Sequence, residues 1–170
     1  MSSAVGASSF RAVVFDFDFT LADASAGIIP AVNGALVDIG QRELPEEQVR
    51  TIIGLSLPEV LRVLTGITAP QELVDRFGAR FIARADGLEH NASGPGALSH
   101  VLPGVALALA TLRAAGLRTA IASTKGRDRI AELLKIHGLH NMFDALVGSE
   151  DVPEGRLKPE PDALQEAARR

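Results

Sequence analysis

Apolar and polar positions change their rhythm three times along this chain. Ala12, Val13, Val14 and Phe15 form an unbroken apolar run closed by Asp16, the pattern of a strand buried on both faces of a parallel sheet. From Ser25 the period becomes helical: Ile28, Ile29, Val32, Leu36 and Ile39 recur up to Gly40. Pro30 falls early in that helix, where its missing N–H costs least. Pro45 opens a second helix with Val49, Ile52 and Ile53 on one side, ending at Gly54. Ser56 and Glu59 have capping-box spacing ahead of a third helix that closes near Gly66. Thr68 and Gln71 repeat that spacing before the longest apolar stripe, Leu73, Val74, Phe77, Phe81 and Ile82. Residues 22 to 87 are therefore expected to be helical, with no strand.

The stretch 91–104 is rich in Gly, Ser, Ala and Pro and reads as a linker. Beyond it strand and helix alternate. A helix over 105–115 precedes a strand over 117–122, which ends in Ser123-Thr124-Lys125. A helix marked by Ile130, Leu133, Leu134 and His137 precedes a strand over 143–147, a Pro-rich loop and a last helix from Asp162. Such alternation predicts right-handed crossovers and an α/β fold, a Rossmann-like doubly wound parallel sheet. The expected division is an α/β core of residues 10–21 and 92–170, interrupted by an all-helical insertion over 22–91.

Composition narrows the function classes. The 170 residues are 46% apolar with a formal net charge of −4, an ordinary globular balance without the basic footprint of a nucleic-acid binder. No run of about 18 apolar residues is present, so no membrane span is expected. With no cysteine, disulfides and thiolate chemistry are excluded, which fits a reducing cytoplasm. Met1 to Ser9 lacks the charged and apolar blocks of a secretory signal and reads as a flexible lead-in.

Chemistry enters with Asp16 and Asp18. Side chains alternate along a strand, so both carboxylates are expected on one side as the strand ends. The carboxyl ends of parallel strands are where open α/β sheets bind ligands. Two close carboxylates repel unless a cation is shared, which points to a hard divalent metal, most simply Mg2+; the plainer reading is a pair of turn residues after a strand. Ser123 and Thr124, at the end of the next strand, can cap a helix or hold an anion with its N-terminal N–H groups. Lys158, in Leu157-Lys158-Pro159-Glu160-Pro161, can neutralise a transferring phosphoryl group or simply be solvated.

Asp16-Phe17-Asp18-Phe19-Thr20 after an apolar strand resembles the first motif of the haloacid dehalogenase-like hydrolase superfamily. Ser123 resembles its second motif and Lys158-Pro159 its third. The turn Leu102-Pro103-Gly104 and the segment 148–152 are similar to the phosphoglycolate phosphatase-like branch, whose helical cap matches the insertion in place and size. The resemblance implies Asp16 as nucleophile, Asp18 as general acid/base, Thr20 as the residue fixing the loop, and Ser123, Thr124 and Lys158 as phosphate ligands. It also implies Mg2+ on Asp16 and, through its backbone carbonyl, Asp18. Where the family usually has Gly, this chain has Phe19, which is expected to avoid any conformation reserved for glycine. Gly54 and Ser56, between two cap helices, are candidate substrate contacts.

The family's fourth motif, an acidic pair on a later strand, has no match before Arg170. The metal site is then expected to be weak, and the strand bearing Asp16 to be a sheet edge open to self-association. The implied activity is a Mg2+-dependent phosphatase of small phosphorylated metabolites, acting through an aspartyl-phosphate. Phosphosugar mutase-like transfer and a catalytically silent fragment that binds phosphate-bearing ligands or self-associates remain as alternatives; Asp18 speaks against hydrolytic dehalogenation.

Overall fold

The computed structural model describes residues 10–66, 68–91, 98–153 and 155–170. In chain order, β1 (Ala12–Phe15) and β2 (Ala22–Asp23) precede four helices. These are α1 (Ser25–Asp38), α2 (Glu46–Ile52), α3 (Leu57–Thr65) and α4 (Gln71–Asn91). Then come β3 (His100–Val101), α5 (Val105–Ala114), β4 (Arg118–Ala122), α6 (Arg127–Ile136), β5 (Ala145–Val147) and α7 (Asp162–Arg169). Strands β1, β4 and β5 form a parallel sheet in the order β1-β4-β5. Phe15 pairs with Ile121, and Ala122 with Val147.

The sheet is covered on both faces, and β4 shows why its last three residues, Ala120 to Ala122, are all apolar. Ile121 packs into one cluster with Phe17, Leu21, Leu109, Ile130, Leu133 and Leu134, from the β1 loop, α5 and α6. Its neighbours Ala120 and Ala122 face the other way, against Val147 and the Ala163 and Ala167 of α7. Strand alternation thus feeds two cores from one segment, and small residues on one side let α7 approach closely. The chain has the doubly wound α/β architecture its alternation predicted. Among the described residues β1 pairs with β4 alone, so its other edge is unpaired; Ala12 is exposed and Val13 to Phe15 are half-buried.

Helices α1 to α4 hold a third cluster of their own: Ala35, Leu36, Val49, Leu61 and Phe77 are its most buried members. Arg84 of α4 crosses α1 at Gly34 to clasp Asp38 with two bonds of 2.8 and 2.7 Å. A Cβ on Gly34 would lie 2.5 Å from the Arg84 side chain. The hydrogen bond from Arg84 holds the Asp38 carboxyl below its ordinary pKa. Gly34→Ala should push Arg84 aside, so that an NMR titration finds Asp38 moved up toward the usual carboxylate range.

Four local expectations are corrected. The stretch after Asp18 is not free of strand, because Ala22 and Asp23 pair antiparallel with Val101 and His100. That pairing places a two-stranded neck where the chain leaves for the helices and where it returns, in a region expected to be linker. Ser56 does sit at the start of α3 and Gly66 ends it with a left-handed φ of 73°, but no side-chain cap bond forms at Ser56. Its presumed partner Glu59 pairs with Arg62 instead. Thr68 is not the cap of α4, which starts at Gln71 with Pro70 supplying the first accepting carbonyl. Finally, β5 spans only 145–147; just before it Asp144 donates its N–H to the Thr119 carbonyl at 2.7 Å, and its side chain accepts the Thr119 N–H at 2.8 Å. Among the described residues no helix is long and apolar enough to cross a membrane.

Candidate active site

Past Phe15 the chain leaves the sheet but keeps its alternation. Phe17 turns into the core, 1% exposed, while Asp16 and Asp18 turn away from it. The Phe17 carbonyl accepts the backbone N–H groups of Thr20, Leu21 and Ala22, and Phe19 N–H reaches back to the Ala22 carbonyl at 2.8 Å. This tight loop fixes both carboxylates relative to the sheet. It also forces Phe19 to a φ of +58°, against the expectation that an aromatic side chain would avoid a glycine-like conformation. A bulky residue there costs about 1–2 kcal/mol, a strain of the kind that collects at functional loops.

Each carboxylate meets a lysine. Lys158 Nζ stands 2.7 Å from Asp16 Oδ1, and Lys125 Nζ stands 3.3 Å from Asp18 Oδ2. The first pair is about one-third exposed, whereas Asp18 is almost closed off, and its buried Oδ1 has no hydrogen-bond partner among the described residues. Burial pushes the Asp18 carboxyl above its ordinary pKa; Lys125 opposes the shift and Asp16 reinforces it. A proton is therefore held on Asp18 to a higher pH than on a free carboxyl.

The parallel register carries Ser123 to the same end of the sheet, one residue past the level of Asp16. Ser123 is buried, and its Oγ accepts the Lys125 N–H at 3.2 Å. Thr124 Oγ1 donates to the Gly54 carbonyl at 3.3 Å, tying the sheet to the loop between α2 and α3. Gly54 has a φ of +92°, and a Cβ there would sit 4.0 Å from Asp16 Oδ2, so this loop overhangs the carboxylate. The first N–H of α6, at Arg127, does not face an open anion site, because Glu150 Oε1 already occupies it at 2.8 Å. Thr20 is exposed and is tied to the loop through its backbone N–H. The bond at Ser56 is the backbone one that starts α3, from Val60 N–H. Neither is bonded to Asp16 or Lys158.

The loop that delivers Lys158 is moored by Asp151, 6% exposed. It accepts the Gly148 N–H at 2.9 Å, Arg127 at 2.8 Å and Arg170 at 2.7 Å. Burial alone would raise its pKa, but these donors outweigh it and hold the carboxyl below its ordinary value. Asp151→Asn should cost about 2 kcal/mol at pH 7, since two guanidinium groups lose their charge partner. A lowered folded-state pKa gives stability present above the unfolded value of about 3.9 and lost as pH falls through the folded value. Denaturant unfolding of both proteins should thus show the gap at pH 7 and its narrowing below about pH 4.

Sequence reasoning left out Lys125 as a partner of Asp18, Glu150 as the cap of α6, and Arg50, which lies over the Phe19 ring at 5.5 Å. The scarcity of lysine was a usable signal, since the chain has only Lys125, Lys135 and Lys158. For Arg50, on the exposed side of a short helix, no signal was available. As to metal, among the described residues no group of three or more carboxylate or imidazole side chains converges. Asp16 and Asp18 each already face an ammonium, and octahedral Mg2+ wants more oxygen ligands than they supply. The donor set present does not by itself complete a magnesium site.

The chain has relatives among known proteins. The model of the haloacid dehalogenase-like hydrolase family matches residues 13–170. The plasmid phosphoglycolate phosphatase of Cupriavidus necator is 33% identical over 156 residues, covering 92% of this chain and 65% of that protein. A phosphoglycolate phosphatase of Cereibacter sphaeroides is 32% identical over 159 residues, covering 92% and 69%. The crystal structure of a haloacid dehalogenase-like hydrolase from Bacteroides fragilis superposes with a TM-score of 0.80 at 32% identity, covering 94% of this chain and 72% of that one. The chain thus spans about two-thirds of the length of these curated relatives, and it belongs to the haloacid dehalogenase-like hydrolase family.

Proposed function

We propose that this chain carries the phosphoryl-transfer site of a phosphatase acting on small phosphorylated metabolites of the phosphoglycolate kind. The observation that supports it best is the pair of carboxylate–lysine contacts at one sheet end, one open and one buried. Asp16, the exposed member, attacks phosphorus in line, forming a carboxyl–phosphorus bond as the ester bond to the leaving oxygen breaks. Asp18, whose burial favours the protonated form, gives its proton to that oxygen; in the second step it takes a proton from the water that cleaves the aspartyl-phosphate. Lys158 offsets the charge that builds on the phosphoryl oxygens, and Ser123 and Thr124 border the same space.

In this reading the four helices over residues 22–91 act as a cap on a core of residues 10–21 and 92–170. The Gly54 loop limits the room above Asp16, and closure excludes water. Relatives called phosphatases lend the substrate class. The Mg2+ dependence general to such phosphatases would here draw on Asp16 and Asp18, which need further oxygen ligands to complete the ion's shell. A cytoplasmic setting is proposed on the cysteine-free composition. The test is hydrolysis of p-nitrophenyl phosphate and phosphoglycolate across a Mg2+ series. Lys158→Met should lower kcat about 10²- to 10³-fold with the melting temperature nearly unchanged. Full activity in that variant would remove Lys158 from the chemistry.

A further inference from the structure

We propose that Arg50 and Phe19 form a latch that holds the helical insert onto the Asp18 loop, making both positioning residues for the general acid. The inference rests on the phosphatase reading for its catalytic consequence, but not for the latch itself. Arg50 lies on α2, yet its contacts join three parts of the molecule. Its guanidinium lies 5.5 Å from the centre of the Phe19 ring, donates to Ser25 Oγ at 3.1 Å at the start of α1, and stands 3.9 Å from Asp23 Oδ2 on the neck strand. Glu46 orients it from one helical turn back, at 2.8 Å. Asp23 is in turn fixed by the Ser25 N–H at 2.8 Å.

Phe19 is the natural end point of this chain of contacts. It directly follows Asp18, so whatever fixes its backbone also fixes the direction of the buried carboxylate. Its left-handed φ would suit glycine better, and glycine would present no face to a cation. An aromatic side chain held in a strained conformation under an arginine keeps an unfavourable residue because of what its ring binds. The latch links the position of α2 to the geometry around Asp18, so seating of the helices and placement of the acid become one event.

The experiment is amide hydrogen exchange over residues 17–22 and α2 in the ligand-free chain, read together with aryl phosphate kinetics. The variants are Phe19→Leu, Phe19→Gly, Arg50→Met and the Phe19→Leu/Arg50→Met double. Each single variant should speed exchange in the 17–22 loop about two- to tenfold, the range of a partly exposed cation–π contact. The double should be no faster than the singles. Phe19→Trp and Arg50→Lys, which keep a ring and a cation, should retain protection. If strain relief were the whole story, Phe19→Gly would slow exchange; that outcome, or additive effects in the double, overturns the latch. Where turnover is measured, the loosened variants should lose kcat several-fold with KM little changed, and an unchanged kcat overturns the positioning role. A chain with no turnover at all but a coupled exchange pattern keeps the latch and overturns the phosphatase reading instead.

Discussion

Asp16→Asn should abolish aryl phosphate turnover, by about 10⁴-fold or more, and leave the fold intact. An amide cannot form the acyl-phosphate that splits the reaction into two easier steps, and loss of a nucleophile removes the function of the groups arranged around it. Stability should hardly change, because Asp16 is one-third exposed and its bond from the Phe17 N–H at 2.7 Å can be accepted by the Asn carbonyl oxygen. The freed Lys158 is exposed enough to be hydrated. Asp18→Asn should be milder, about 10²- to 10⁴-fold, the usual range for a positioned acid. Circular dichroism and melting curves beside the kinetics separate chemistry from folding, and an Asp16→Asn protein that still turns over would remove the covalent route.

Gly148→Ala should be the most damaging substitution to stability for its size. The backbone conformation is ordinary, with φ of −109°, so the reason is space. A Cβ at this position would meet Arg127 N at 2.2 Å and Arg127 Cα at 2.7 Å. These are backbone atoms at the first turn of α6 and cannot swing away as a side chain would. Separation of the loop from α6 would stretch the Glu150 bond to Arg127 N–H and the Asp151 contacts together. We expect a loss of about 3 kcal/mol, a fall in melting temperature of roughly 6–12 °C for a chain of this size. Because the same loop carries Lys158, kcat should fall in the folded remainder as well. A melting point within a degree of the parent would show that the loop gives way freely.

The sequence carried the core well, because burial on two faces leaves an unmistakable signature. β1 and the second half of β4 are apolar runs ended by polar residues at the same sheet end, and that brings Asp16 and Ser123 to one place. What stayed hidden depends on partners far away in the chain. Ser56 has a capping residue's identity, but Glu59 finds Arg62 closer. Phe19 looks incompatible with a left-handed turn until Arg50 is seen above its ring. Lys125 follows the strand that ends at Ser123, yet its pairing with Asp18 needs the loop geometry that sets the carboxylate beside it. The two-residue strands of the neck are too short for any periodicity, since a period of two cannot be read from two residues.

The separate apolar clusters have a consequence for how the molecule assembles. The buried members of the helical cluster all lie between Val32 and Phe77, so its contacts close chain loops less than half as long as the one the sheet requires. The pairing of β1 with β4 joins residues 12–15 to 118–121, which requires a loop of about a hundred residues to close first. Local contacts form faster than distant ones. The helices should therefore collapse while the strand bearing Asp16 still waits for its neighbour, and the prior folding of the insert shortens the effective loop that the sheet must close. On a ribosome the same order holds, because the whole helical cluster is synthesised before β4 exists. The insertion that separates the two halves of the site in sequence is then also the element that brings them within reach of each other.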